Sequence, residues 1–242
     1  MEKVYFETIN GKRIFTILSE PQISQKKAVI MNHGFRGSSI GPARQFVDFS
    51  RLLVKSGFSV LRFDQPNSGN SEGEYLNSSF DEWVDTTTYF AKQFLDKGYR
   101  IALMGQSMGA TTSVIASAKE ELQGKVSCLL LWVPDPKSTF DKSPDQIFEE
   151  EGQKYEGMFW EEAKRANFFK CLDGYKGGIH LVYGEKDRYI ENDLMNEVID
   201  KVKQKGQTAI VLPGQDHSPW EFNVVQTAYR QQLKKLQECL GN

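Results

Sequence analysis

Cysteine is scarce in this 242-residue chain: Cys128, Cys171 and Cys239 are its three, and no two form a Cys-x-x-Cys pair. An odd, sparse set is poor material for a disulfide framework and carries no zinc or redox motif. It predicts a reducing, cytoplasmic setting. Net charge is nearly absent, with 30 Lys and Arg against 32 Asp and Glu, so nothing in the balance calls for nucleic acid or an anionic membrane as partner. No apolar run approaches the ~20 residues of a membrane span, and the opening Met1-Glu2-Lys3-Val4-Tyr5-Phe6-Glu7 lacks the apolar centre of a signal peptide. Repeats and low-complexity tracts are missing as well. With 39% hydrophobic and 26% charged residues, what is left is a soluble globular chain, long enough for one α/β domain with a small insertion.

The pattern along the chain begins with a hairpin: residues 4–19 read as two strands around the turn signal Asn10-Gly11. Short apolar runs then alternate with helical periodicity. Strands are expected at Ala28-Val29-Ile30-Met31, over residues 58–63, over residues 100–104 and over residues 126–133. Between them, residues 42–56 (Phe46, Phe49, Leu52, Leu53), 80–96 (Trp83, Val84, Phe90, Phe94) and 108–120 carry helical spacing. The run through Cys128 is apolar on both faces and so reads as a buried parallel strand, with Cys128 a buried thiol. Such alternation predicts an α/β fold, a mostly parallel central sheet flanked by helices. It pauses over residues 134–176, which hold acidic residues, Pro, Gly and many aromatics, among them Phe140, Phe148, Tyr155, Phe159, Trp160, Phe168, Phe169 and Tyr175. It resumes with a strand over 178–183, a helix over 192–205, a strand over 208–212 and a last helix from about 219 to 240. Residues 1–133 and 177–242 are therefore expected to form the core, and 134–176 a lid or cap over the carboxyl ends of the strands, where open α/β sheets bind ligands.

One pentapeptide carries chemistry. Gly105-Gln106-Ser107-Met108-Gly109 falls between a short apolar strand and a helix. A serine on so sharp a turn is lifted above the sheet, the flanking glycines leave room for strand and helix to meet, and the helix points its positive end at the site. The pattern by itself is weak, since Gly-x-Ser-x-Gly also occurs in ordinary loops. Its place after a strand and before a helix gives it meaning, and Ser107 is expected to be a nucleophile.

With these residues in view, the chain resembles the α/β-hydrolases, and within them the small capped esterases that include cinnamoyl and feruloyl esterases and monoacylglycerol lipases. The resemblance spans nearly the whole chain. It rests on His33-Gly34-Phe35-Arg36-Gly37, on Arg62-Phe63-Asp64 followed by Gly69-Asn70-Ser71-Glu72-Gly73, on the serine pentapeptide, on Gly184-Glu185-Lys186-Asp187 and on Asp216-His217. One loop departs from the usual Asp-x-x-Gly-His-Gly-x-Ser: here it reads Asp64-Gln65-Pro66-Asn67-Ser68-Gly69-Asn70-Ser71.

The resemblance implies an α/β-hydrolase fold and a Ser-His-Asp triad. A serine hydroxyl needs a base to take its proton, and only His33, His180 and His217 are available. His180 sits inside an apolar strand and is expected to be structural; His33 shapes a loop. His217 lies after the last strand and before the last helix, where this fold carries its base. The acid belongs in a loop between serine and histidine, and Asp187 matches the family's position. Glu185 comes two residues too early, Asp193 lies near a helix start, and Asp216 is the histidine's own neighbour. By the same resemblance the main-chain N–H groups of Phe35 and Met108 would form the oxyanion hole. Trp132, Trp220, Phe159 and Trp160 are candidate pocket walls, with the alternative that the insertion's aromatics are simply its own core. The acidic run Glu149-Glu150-Glu151 reads as a solvated face.

The expected activity is hydrolysis of small acyl or aryl carboxylic esters through an acyl-enzyme. An acyl thioesterase or acyltransferase would use the same triad, and a non-catalytic binding protein could use the same scaffold. The expected partner is a small-molecule ester. No metal or organic cofactor is implied, and oligomeric state is not legible.

Overall fold

A computed structural model describes residues 1–136 and 143–241; Phe140 falls outside them. The chain opens with strands β1 (Glu2–Ile9) and β2 (Lys12–Ser19), paired antiparallel with Ile9 opposite Lys12. The two-residue turn between them puts Asn10 (φ 50°) and Gly11 (φ 82°) in the left-handed region, as the expected Asn-Gly hairpin requires. Strand β3 (Lys27–Asn32), helix α1 (Gln45–Lys55), β4 (Ser59–Phe63), α2 (Phe80–Asp96), β5 (Arg100–Gln106), α3 (Met108–Ser117) and β6 (Val126–Trp132) follow. After the interruption come β9 (Gly178–Gly184), α6 (Asn192–Gln204), β10 (Thr208–Leu212) and α7 (Phe222–Leu240).

The eight-stranded sheet has the order β1-β2-β4-β3-β5-β6-β9-β10. Beyond the antiparallel pairs β1·β2 and β2·β4, every neighbour is parallel. The path from β3 through α1 to β4 steps one way along the sheet, whereas those through α2, α3 and α6 step the other. Right-handed crossovers therefore put α1 on one face and α2, α3 and α6 on the opposite face. The last helix, α7, joins α1 against β5, β6 and β9. Central strands covered on both faces need apolar side chains throughout, which is why β3 is buried at all its positions and β6 from Cys128 to Trp132.

Residues 134–176 hold more regular structure than their composition announces: a hairpin of β7 (Ile147–Glu150) and β8 (Gln153–Glu156), then helices α4 (Met158–Arg165) and α5 (Phe168–Gly174). Helix α4 packs on α2 and α5 on α3. Most of the described aromatics here are core: Tyr155, Phe159 and Phe168 are buried, and the Tyr175 hydroxyl donates to the Val126 carbonyl at 3.1 Å.

Candidate active site

Ser107 occupies the single residue between β5 and α3, with φ 54° and ψ −125°. For a residue with a Cβ this is strained backbone, held because its surroundings over-determine it. Its N–H donates to the Trp132 carbonyl at 2.8 Å, and its own carbonyl accepts from Ala110 N at 2.9 Å. The flanking glycines are required for close approach. A Cβ on Gly105 would be driven into the Gly109 carbonyl, and one on Gly109 into the carbonyls of Asn32 and His33. Beneath the turn, Asn32 ties β3 to both neighbouring helices: its amide donates to Ser113 Oγ at 2.9 Å and its oxygen accepts from Thr87 Oγ1 at 2.7 Å.

His217 and Asp187 come from loops 30 residues apart and meet. His217 Nδ1 lies 2.8 Å from Asp187 Oδ2, and both side chains are buried. The other oxygen of Asp187 accepts the N–H groups of Tyr189 at 2.9 Å and Ile190 at 3.0 Å, so the carboxylate cannot turn away from the ring. The two loops touch because Gly184 has no side chain; a Cβ there would collide with the Asp216 carbonyl. Asp216 is otherwise engaged, by Arg188 and by the N–H of His217. Burial alone would raise its pKa, but those donors and the guanidinium outweigh it and hold the carboxyl below its ordinary range.

His33 is buried and plays a different part. Its Nε2 accepts the Gln65 N–H at 2.9 Å, so Nδ1 carries the proton and donates to the Gly34 carbonyl at 2.8 Å. Burial pushes its pKa down, opposed by Gly34 and Asp64; it is a neutral clamp on the loop that presents Phe35. A Cβ on Gly34 would meet Gln106 and Ser107, so this loop lies directly against the serine turn. Among the described residues, neither the Phe35 nor the Met108 main-chain N–H is donated to another protein atom. Arg36 N donates to the Tyr75 hydroxyl at 2.7 Å, which fixes the loop beyond Phe35. The departing loop keeps its order through its own polar groups, with Asp64 accepting the N–H groups of Ser39 at 2.6 Å and Asn70 at 2.8 Å.

Ser107, His217 and Phe35 open onto one cleft of about 1070 Å³, which Trp160 also lines. Three of the four expected pocket walls do not reach it. Trp132 points to the α1–α7 face, where it is fully buried against Phe46, Phe49, Trp220 and Tyr229, its Nε1 donating to Gln232 at 2.8 Å. Trp220 supports the His217 loop from behind, its Nε1 donating to the Asp216 carbonyl at 3.0 Å. Phe159 is buried behind Phe35, Trp83 and Trp160. Strand alternation explains Trp132: residues 128, 130 and 132 share the face that α7 covers.

The acidic run is also corrected in part. Glu150 and Glu151 line the cleft and face Arg36, 3.2 and 3.6 Å from its guanidinium; Glu149 remains outside, near Lys154. Gln106, assigned no role from the sequence, donates from its amide to Ser218 Oγ at 3.1 Å and joins the serine turn to the histidine loop. Tyr189, whose ring centroid lies 5.1 Å from that of His217, was likewise missed. Gln106 had a signal, its place inside the pentapeptide; the hairpin glutamates had none.

A strained serine between a parallel strand and a helix, beside a loop-borne His-Asp pair, on this sheet order, defines the α/β-hydrolase fold. A family model described as serine aminopeptidase, S33, matches residues 23–135. Solved structures match along the whole chain. Est1E from Butyrivibrio proteoclasticus with ferulic acid bound has 20% identity and a TM-score of 0.82, covering 98% of this chain and 99% of that one. The α/β hydrolase GrgF from Penicillium sp. sh18 has 15% identity and a TM-score of 0.82, covering 100% of both. A thioesterase domain from the curacin biosynthetic pathway has 14% identity and a TM-score of 0.69, covering 98% and 99%. No curated protein sequence matches the chain. No helix among the described residues is long and apolar enough to cross a membrane.

Proposed function

We propose that this chain is a serine hydrolase of carboxylic esters, with Ser107 as nucleophile, His217 as base and Asp187 as the acid that orients it. The observation that carries this reading is the 2.8 Å contact of His217 Nδ1 with Asp187, in a cleft that Ser107 shares. Asp187 selects the tautomer with the proton on Nδ1, leaving Nε2 free to take the serine proton. Ser107 Oγ adds to the ester carbonyl and the oxygen becomes an oxyanion. The undonated N–H groups of Phe35 and Met108 receive that charge, each contributing ~2.7–4 kcal/mol to the transition state. His217 then gives the proton to the leaving alcohol, and a water activated by the same base releases the acid.

The substrates best suited to this cleft are small acyl or aryl esters, with Phe35 and Trp160 as aromatic walls. Kinship of fold with Est1E, whose structure holds ferulic acid, and with a thioesterase domain supports acyl transfer to water. The lid role of residues 134–176 is part of the proposal, since Glu150, Glu151 and Trp160 reach the cleft from that segment.

Labelling with a fluorophosphonate tests the nucleophile: wild type is expected to label and Ser107→Ala is not, and equal labelling of both would overturn the assignment. A series of aryl esters of increasing acyl length, run beside matching thioesters, tests the substrate class. Faster turnover of every thioester than of its ester partner would replace the esterase reading with a thioesterase.

A further inference from the structure

Away from Ser107, at the amino ends of the parallel strands, two of the three cysteines are neighbours. Cys128 in β6 lies opposite Gly178 in β9, and partners across a parallel pair direct their side chains to the same face, about 4.8 Å apart. Gly178 leaves that place empty, and the Sγ of Cys239, from the last turn of α7, fills it: a Cβ on Gly178 would collide with that sulfur. Lys235, one turn earlier on α7, brings its Cε to 3.0 Å and its Nζ to 3.7 Å of the same point. Cys239 Sγ therefore sits beside the Cys128 side chain, close enough for each thiol to shift the other's titration.

Their surroundings differ in a useful way. Cys128 is buried inside the sheet, whereas Cys239 is half-buried and lines a cleft of about 960 Å³ through which solvent reaches it. The adjoining Cys128 thiol and, less strongly, the Lys235 ammonium pull the Cys239 pKa down to about 7 against the effect of burial. The Cys128 pKa is raised by the nearness of Cys239 and by burial. Cys171 opens onto the same cleft without such help: its thiol lies near the Ala166 carbonyl and burial pushes its pKa up.

We propose that Cys239 and Cys128 form a hydroperoxide-reactive pair, Cys239 attacking and Cys128 resolving, which closes to a disulfide between α7 and β6. In the first step the Cys239 thiolate attacks the terminal oxygen of a hydroperoxide, ROOH. The S–O bond forms, the O–O bond breaks, and the departing RO⁻ takes a proton to become ROH, leaving a sulfenic acid. In the second step the Cys128 sulfur attacks the Cys239 Sγ. The S–O bond breaks and the hydroxide leaves as water with the Cys128 proton. Two thiols are oxidised by two electrons in all, and the peroxide is reduced to ROH and water. A disulfide needs a Cβ···Cβ separation of roughly 3.5–4.5 Å, and Cys239 Sγ already fills the side-chain place of Gly178, the residue opposite Cys128. This chemistry is independent of the hydrolase reading.

The test uses the full, reduced chain and a small molar excess of hydrogen peroxide, read by thiol titration under denaturing conditions, intact mass and peptide mapping. The expected result is loss of two of the three thiols, a mass lower by two hydrogens, and a reducible link between the peptides holding Cys128 and Cys239, with Cys171 still free. In Cys128→Ser, which keeps a polar neighbour but no resolving sulfur, Cys239 should stop at a sulfenic acid that dimedone traps, and in Cys239→Ser neither remaining thiol should be lost at that dose. At pH 7, iodoacetamide should reach Cys239 roughly tenfold or more faster than Cys171, as the difference in thiolate fraction requires. Consumption of Cys171 before Cys239, or conversion of wild-type Cys239 to a sulfinic acid without any link to Cys128, would overturn the proposal.

Discussion

Replacing His180 by leucine should remove a large part of the chain's acid sensitivity. His180 lies in β9, buried on the face covered by α7, and neither ring nitrogen has a hydrogen-bond partner among the described residues. Burial lowers its pKa from 6.5 to about 4, with Lys235 adding to the shift. In the unfolded chain the ring takes a proton below about 6.5, whereas in the folded chain it does so only below about 4. Between those values the unfolded state binds more protons, so folding stability is lost as the pH falls. The contribution is fully present above pH 6.5 and is lost on the way down to pH 4. At 1.36 kcal/mol per pKa unit the whole difference is about 3 kcal/mol, of which about 2 kcal/mol has gone by pH 5. The assay is urea unfolding of wild type and His180→Leu at pH 7 and at pH 5. Both proteins keep every other titrating group, including buried His33, so those effects cancel in the comparison. The variant should match or exceed wild type at pH 7, because leucine leaves no unpartnered polar atom. Its loss between pH 7 and pH 5 should be smaller by about 2 kcal/mol. Equal losses in the two proteins would refute the reasoning.

Other consequences follow from the site and its supports. Asp187→Asn should fold normally yet lower kcat/KM on an aryl ester by about 10³–10⁴-fold, because the amide favours the wrong tautomer of His217; a loss under tenfold in steady-state kinetics would speak against the acid's role. Trp132→Leu should reduce stability by roughly 2–4 kcal/mol through the cavity it leaves, with KM unchanged, since the indole is walled off from the cleft. Trp160→Ala should instead raise KM for aryl esters while Phe159→Leu does not, and the opposite order would return Phe159 to the pocket wall. Gly109→Ala should lower the thermal midpoint and abolish fluorophosphonate labelling together, because its Cβ has only the backbone of Asn32 and His33 to displace.

Local pattern was enough wherever one segment answers to its own chemistry. Asn10-Gly11 specified a hairpin because both residues accept positive φ. The apolar runs of β3 and β6 specified buried parallel strands because no polar face was present. The glycines around Ser107 specified a sharp strand-to-helix turn because strand and helix can meet there only without side chains. Elimination among three histidines, joined to the family's order of residues, singled out His217 and Asp187. Only the tertiary structure decided which way side chains face. Trp132 and Trp220 adjoin site loops in sequence, yet the pleat of β6 and the packing of α7 turn the first away and place the second behind. Glu150 and Glu151 look solvated in sequence, yet the β7–β8 hairpin sets them across from Arg36. Cys128 and Cys239 are 111 residues apart and carry no motif; a glycine on the neighbouring strand makes the opening in which they meet. Periodicity reports the conformation of a segment, whereas contacts between distant segments depend on register and on which layer covers which face, and no local spacing encodes those.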